Sequence, residues 1–65
     1  MNQKKYKSDI MELLIKNRGK YMTARDISKE LNISYPTALK WLDVLCAEGK
    51  IEMCIFGNVK VFRYV

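Results

Sequence analysis

Apolar residues recur near the start of the chain at Tyr6, Ile10, Leu13 and Leu14, with Met11 and Ile15 beside them. That spacing is one face of a helix. It predicts a helix over about 4–17, ended at Arg18 and Gly19, where the glycine can adopt the left-handed conformation that closes many helices. In the following stretch, KYMTARDISKELNIS, Tyr21 and Met22 predict a very short strand. Thr23 then caps a second helix over about 24–31, with Asp26 three positions on in a capping-box spacing. Ala24, Ile27 and Leu31 share its apolar face, while Arg25, Asp26, Lys29 and Glu30 face water.

Asn32 and Ile33 turn the chain, and Ser34 stands where it can cap a third helix over about 35–48. Pro36 falls in that helix's first turn, where its missing N–H is not needed. A residue before proline avoids helical angles, so Tyr35 is an alternative boundary. Ala38, Trp41, Leu42 and Leu45 follow the i, i+3, i+4, i+7 pattern of a core-facing side. Pro36, Thr37, Lys40, Asp43, Val44 and Ala47 lie opposite, Leu39 and Cys46 flank the core, and Gly49 closes the helix.

The remainder, KIEMCIFGNVKVFRYV, places Gly57 and Asn58 between two β-rich runs, the signature of a two-residue hairpin turn of the primed kind, with strands over about 51–64. In that register Glu52 faces Arg63, an opposite-charge cross-strand pair. Ile51, Met53, Ile55, Phe62 and Tyr64 share the face expected to pack on the helices. Glu52, Cys54, Phe56, Val59, Val61 and Arg63 form the other face, which is more apolar than water requires. A dimer interface and cover by the chain's own N-terminus are the two candidate explanations.

At 65 residues the chain makes one domain with a thin core, since a chain this short hides only about 60% of its unfolded surface. A deep catalytic pocket is not expected. Apolar residues at 49% and charged ones at 29% fit a globular domain and argue against disorder. No apolar run approaches the ~20 residues of a membrane span, and the basic start MNQKKYKSDI leads into an amphipathic pattern and not a signal peptide, so a cytoplasmic location is expected.

The net charge of +5 is unevenly distributed. Lys4, Lys5, Lys7, Lys16, Arg18 and Lys20 stand against Asp9 and Glu12 in the first twenty residues; Lys50, Lys60 and Arg63 stand against Glu52 at the other end; the middle is nearly neutral. Basic ends suit a polyanion such as nucleic acid or an acidic membrane surface, and equally a solvated surface with no partner. Lys4, Lys5 and Lys7 read alike as a basic arm or as a frayed terminus. Cys46 and Cys54 are the two thiols, and with no His and no CxxC pair a metal site is not expected. Asp9 and Glu12 share a helix face with no nucleophile or His beside them in sequence, and no glycine-rich phosphate loop occurs, so neither catalysis nor a cofactor is expected.

Helix, short strand, helix, tight turn, helix and hairpin is the order of a winged helix-turn-helix domain, an α+β fold of three helices followed by a C-terminal β-hairpin wing. Within it, TALKWLDVLCAEGKI resembles the segment of bacterial and archaeal winged-helix transcriptional regulators such as the multiple-antibiotic-resistance repressor family. The family's apolar positions match Ala38, Trp41, Leu42, Leu45 and Ile51, and its glycine matches Gly49. TARDISKELNIS is similar to the family's first motif helix and turn, and the resemblance runs from about Ser8 to Tyr64. A stand-alone domain of this size also resembles regulators of archaea, their viruses and plasmids.

In such domains the second motif helix lies in the major groove of double-stranded DNA. The resemblance therefore implies contacts from Ser34, Tyr35, Thr37 and Lys40, with Asp43 further along the same face. Gly57, Asn58 and Lys60 would reach the flanking minor groove or backbone from the wing, and Arg25 and Lys29 would reach phosphates from the second helix. Leu39, Val44 and Ala47 interrupt the polar face and Asp43 repels phosphate, a departure from the family. Direct readout then rests on few residues, which is the reason to expect a homodimer reading two half-sites. With one domain and no second one to sense a ligand, no small-molecule ligand is expected. The rival reading is a winged helix used as a protein-interaction module. An RNA-binding role is disfavoured, because no exposed aromatic pair for stacking single-stranded bases stands out.

Overall fold

The structure, a computed structural model, describes residues 5–64. It contains α1 (Tyr6–Lys16), α2 (Ala24–Leu31), α3 (Tyr35–Ala47), β1 (Ile51–Phe56) and β2 (Val59–Tyr64). This is the winged helix expected from the pattern, three helices followed by an antiparallel hairpin. The expected helix start at position 4 and the arm reading of Lys4 lie outside the described residues.

Local chemistry sets the boundaries. The Thr23 hydroxyl accepts from the Asp26 N–H at 3.1 Å while the Asp26 carboxylate accepts from the Thr23 N–H at 3.1 Å, a complete capping box. Asn32 leaves α2 at φ 55°, one of the few side chains that tolerate the left-handed region. The third helix ends in a Schellman pair, Gly49 N–H to Cys46 carbonyl and Lys50 N–H to Leu45 carbonyl, both 3.0 Å. Gly49, at φ 75°, takes the left-handed position this closure needs.

The core joins all three helices to the root of the hairpin. Ile10, Leu14, Ile27, Ala38, Leu42 and Phe62 are fully buried, with Leu45, Met22, Ala24 and Ile51 closing around them. Trp41, expected in the core, packs against its edge half-buried, stacked on Tyr6 of α1 at 6.3 Å between ring centroids. Lys7 of α1 reaches Glu48 beyond the end of α3 at 2.7 Å. That ammonium holds the Glu48 carboxyl below its ordinary range, so the pair's contribution is present at neutral pH and fades as pH falls through the lowered value. Both ends are exposed, so the contribution is small.

The hairpin register is the expected one, from Ile51 opposite Tyr64 to Phe56 opposite Val59. Gly57 has φ 62° and Asn32 is the one non-glycine with positive φ among the described residues, so Asn58 has negative φ, the pattern of a II′ turn. Met22 supplies the short third strand: its N–H and carbonyl both bond to Phe62, at 2.8 and 2.7 Å.

The packing of the hairpin differs from expectation. Ile51, Phe62 and Tyr64 do pack on the helices, but Met53 and Ile55 on the same face are 42% and 59% exposed. The hairpin outruns the helical body, giving a molecule of 40 × 20 × 20 Å, so only its root meets the core. On the opposite face, where cover was expected, Val61 is buried within the chain itself, while Phe56 and Val59 near the tip remain exposed.

Phe62→Ala should remove both the largest buried ring and the packing at the hairpin root. Such truncations cost about 3–5 kcal/mol, a large share of what a domain this small possesses. Urea unfolding followed by circular dichroism should show loss of most of the native baseline. A midpoint close to wild type would contradict the central place given to Phe62.

Candidate nucleic-acid interface

Four of the residues singled out in the sequence come together in one groove. Arg25 from the first turn of α2, Tyr35 from the start of α3, and Asn58 and Lys60 from the hairpin line an open concavity of about 500 Å³. Thr23, Ala24, Leu39, Val59 and Phe62 complete its walls. The sequence marked Thr23 only as a cap and Leu39 as a flank of the core that interrupts the polar face. Both positions lie on the edge of their helix that turns toward the wing, which becomes visible once the hairpin is placed.

Ser34 and Thr37 are engaged with each other. The Ser34 hydroxyl donates to the Thr37 hydroxyl at 2.7 Å and accepts from the Thr37 N–H at 3.3 Å. With its acceptor side occupied, the Thr37 hydroxyl keeps its own proton to donate outward. Ser34 has used its donor, so its part is to fix the start of α3.

Lys40 is exposed but does not line the groove. It projects from the outer face of α3, its ammonium 5.2 Å from the centre of the Trp41 ring, a cation–π contact that holds the charge near the α1 side. Lys29 is exposed on α2 and Asp43 on α3, both away from the groove. Gly57 forms the tip beside Asn58. Lys7 of the proposed basic arm is tied to Glu48. Burial pushes the Cys46 thiol above its ordinary pKa, Asp43 adds to the shift and Lys60 opposes it, so Cys46 is a protonated, inert thiol at neutral pH.

Tyr21 is the residue that sequence reasoning missed. Its ring meets Phe56 edge-on at 5.3 Å, its hydroxyl lies 3.7 Å from the Cys54 sulfur, and the Arg63 guanidinium sits 5.0 Å above it. Arg63 in turn donates to Glu52 at 2.9 Å. These neighbours surround Val61 on the outer face of the hairpin, so Tyr21 is the cover that the apolar face required. The contact with Cys54, then burial, raises the Tyr21 pKa, with Arg63 opposing, and the phenol stays protonated through the physiological range. Nothing in the sequence spacing links position 21 to positions 54, 56 and 63. The link exists because Met22 pairs with Phe62, which carries its neighbour across the strand.

The sequence pattern of the helix-turn-helix (HTH) domain matches residues 7–55, from α1 into the first strand of the hairpin. The chain belongs to the HTH domain family. With the hairpin at its C-terminus, this HTH domain is a winged helix-turn-helix DNA-binding domain. Among solved structures it is similar to one from work on the DNA recognition and protein interaction domains of HOP2 and its homologous DNA pairing, at 25% identity and a TM-score of 0.81, covering 92% of this chain and 98% of that one. It also shares its fold with a possible transcriptional regulator from Methanosarcina mazei Go1, at 14% identity and a TM-score of 0.85, covering 98% of this chain and 57% of that one. No curated protein sequence matches this chain significantly. Among the described residues, no helix is long and apolar enough to cross a membrane.

Tyr21→Ala should loosen the wing without melting the helices. Aromatic pairs of this kind contribute about 0.5–1.5 kcal/mol. Amide hydrogen exchange at Val59 and Val61 should speed up several-fold, with Ile10 and Leu42 little changed. Equal protection across the hairpin in both proteins would remove Tyr21 from its covering role.

Proposed function

We propose that this HTH domain is a transcriptional regulator that binds double-stranded DNA with α3 in the major groove and the wing on the flanking backbone or minor groove. The observation that supports this best is the convergence of Arg25, Tyr35, Asn58 and Lys60 from three separate elements on one groove beside the exposed face of α3. An α-helix fits the major groove, and a hairpin leaving its side reaches the neighbouring phosphates. Arg25, with Lys29 behind it, and Lys60 are cations suited to phosphate; Thr37 retains a hydroxyl donor; Lys40 swings from Trp41 to a guanine edge or a phosphate. Ser34 acts through the helix start it caps: Pro36 has no N–H and the Thr37 N–H is taken by Ser34, so the Tyr35 N–H is the first-turn donor left to favour an anion. Gly57 lets the tip approach the backbone closely.

Few base contacts follow from so sparse a face, each contributing about 1–3 kcal/mol of discrimination. A homodimer reading two half-sites about one DNA turn apart overcomes that weakness. A second reading, a module that binds protein, is favoured by the exposed apolar side chains of the wing and by the thin basic content of α3, where Asp43 repels phosphate.

Fluorescence anisotropy of a labelled mixed-sequence duplex, titrated at several salt concentrations, tests the DNA reading. Affinity should fall with salt at a log–log slope of about −3 or steeper, the mark of several neutralised phosphates. In Lys40→Ala, affinity for a selected site should drop roughly 5- to 150-fold with thermal unfolding unchanged. An absence of binding at low salt would overturn the DNA reading in favour of the protein module, and an unchanged affinity in Lys40→Ala would remove Lys40 from the interface.

A further inference from the structure

The open edge of the hairpin has an identifiable partner. Phe62 directs both its N–H and its carbonyl to Met22, away from β1. Pairs in an antiparallel ladder alternate between bonded and non-bonded, so Met53 opposite Phe62 is in a non-bonded pair and its own N–H and carbonyl point to the free edge. The same alternation directs those of Ile51 and Ile55 outward. β2 lies between Met22 and β1, which leaves β1 as the sheet's outer strand.

Proteins normally blunt such an edge with proline, a bulge or free charges. Here six residues, IEMCIF, run one-for-one against β2 without proline or bulge, and their single charge, Glu52, is bound to Arg63. Two large apolar side chains, Met53 and Ile55, stand on one face of this edge, 42% and 59% exposed.

We propose that β1 pairs antiparallel with β1 of a second copy of this chain about a two-fold axis at Cys54, joining the two hairpins into one four-stranded sheet. The register follows from burial. An axis at Met53 would bring Ile55 to the partner's Ile51, whose side chain is already buried against its own helices. An axis at Cys54 sets Met53 beside the partner's Ile55 and Ile55 beside the partner's Met53, so each exposed side chain meets another exposed one. The backbone groups of both residues are then satisfied, four hydrogen bonds in all. Charge agrees with this register: Glu52 falls opposite the partner's Phe56, and no like charges face each other across the axis. Cys54 faces the partner's Cys54 in a non-bonded pair, with Cα atoms about 4.5 Å apart, inside the range of about 4.4–6.8 Å that a disulfide spans. The inference gives the homodimer of the preceding section its interface and rests on that part of the reading.

Sedimentation equilibrium from 1 to 200 µM, paired with anisotropy on a duplex holding one half-site, tests it. The wild type should show a monomer–dimer equilibrium, and Ile55→Lys, a change at an exposed position, should raise the dimer dissociation constant about tenfold or more while half-site binding persists. Diamide, which accepts the two thiol hydrogens, should link wild type and Cys46→Ser into covalent dimers and leave Cys54→Ser without a covalent link. A wild type that stays monomeric at 200 µM, or a dimer unaffected by Ile55→Lys, overturns the interface. In either case retained half-site binding leaves DNA recognition standing, whereas a dimer that ignores DNA sinks the recognition reading and leaves the interface standing.

Discussion

The two hydrogen bonds between Met22 and Phe62, together with the complete burial of the Phe62 ring, determine where the wing leaves the body. A two-stranded hairpin alone is marginal in water. This one is held at a single rung, through a residue that lies in the core and in the sheet at once. From that rung follow the position of Tyr21 over the outer face, the outward direction of the Met53 backbone, and the approach of Asn58 and Lys60 to the start of α3. The groove exists because the hairpin is fixed at its root and steadied by Tyr21 on its outer face, while the face toward the helices is uncovered beyond the root.

That division of labour explains why the molecule can be small and still present a long surface. The core is built from the faces of three short helices plus Ile51 and Phe62, and every helix end near the groove is closed by its own local chemistry, the capping box at Thr23 and the Ser34–Thr37 pair. Neither cap depends on a distant partner. The helix starts that frame the groove are therefore set before any ligand arrives, and ordering them adds little to the cost of binding.

Much of this was legible in the chain because it is encoded locally. Thr23 and Asp26 announce a helix start, Gly49 an end, and Gly57-Asn58 with the Glu52–Arg63 pair gives the hairpin register residue for residue. Arg25, Tyr35, Asn58 and Lys60 were each chosen as candidates from the resemblance to winged-helix regulators, and the fold brings them to one groove. What local pattern could not carry is length against thickness. Alternation assigned Met53 and Ile55 to a packed face, and they are on that face, but the helical body ends before reaching them. The cover from Tyr21 and the tie between Lys7 and Glu48 were hidden for the same reason, since each joins segments more than thirty positions apart. Lys40, placed by the helical wheel on the reading face, is found leaning on Trp41, a side-chain preference that no wheel contains.

The central claim is that the face of α3 and the wing beside it form one DNA-binding surface. Its most direct test is an amide chemical-shift titration of the labelled protein with a short duplex. The account predicts that the largest changes cluster at Arg25, Tyr35, Thr37 and Lys40 and at Gly57 to Lys60, with Glu12 and Lys16 on the far side of α1 left unmoved. Changes confined to α1, or to Met53 and Ile55 with α3 unaffected, would contradict it.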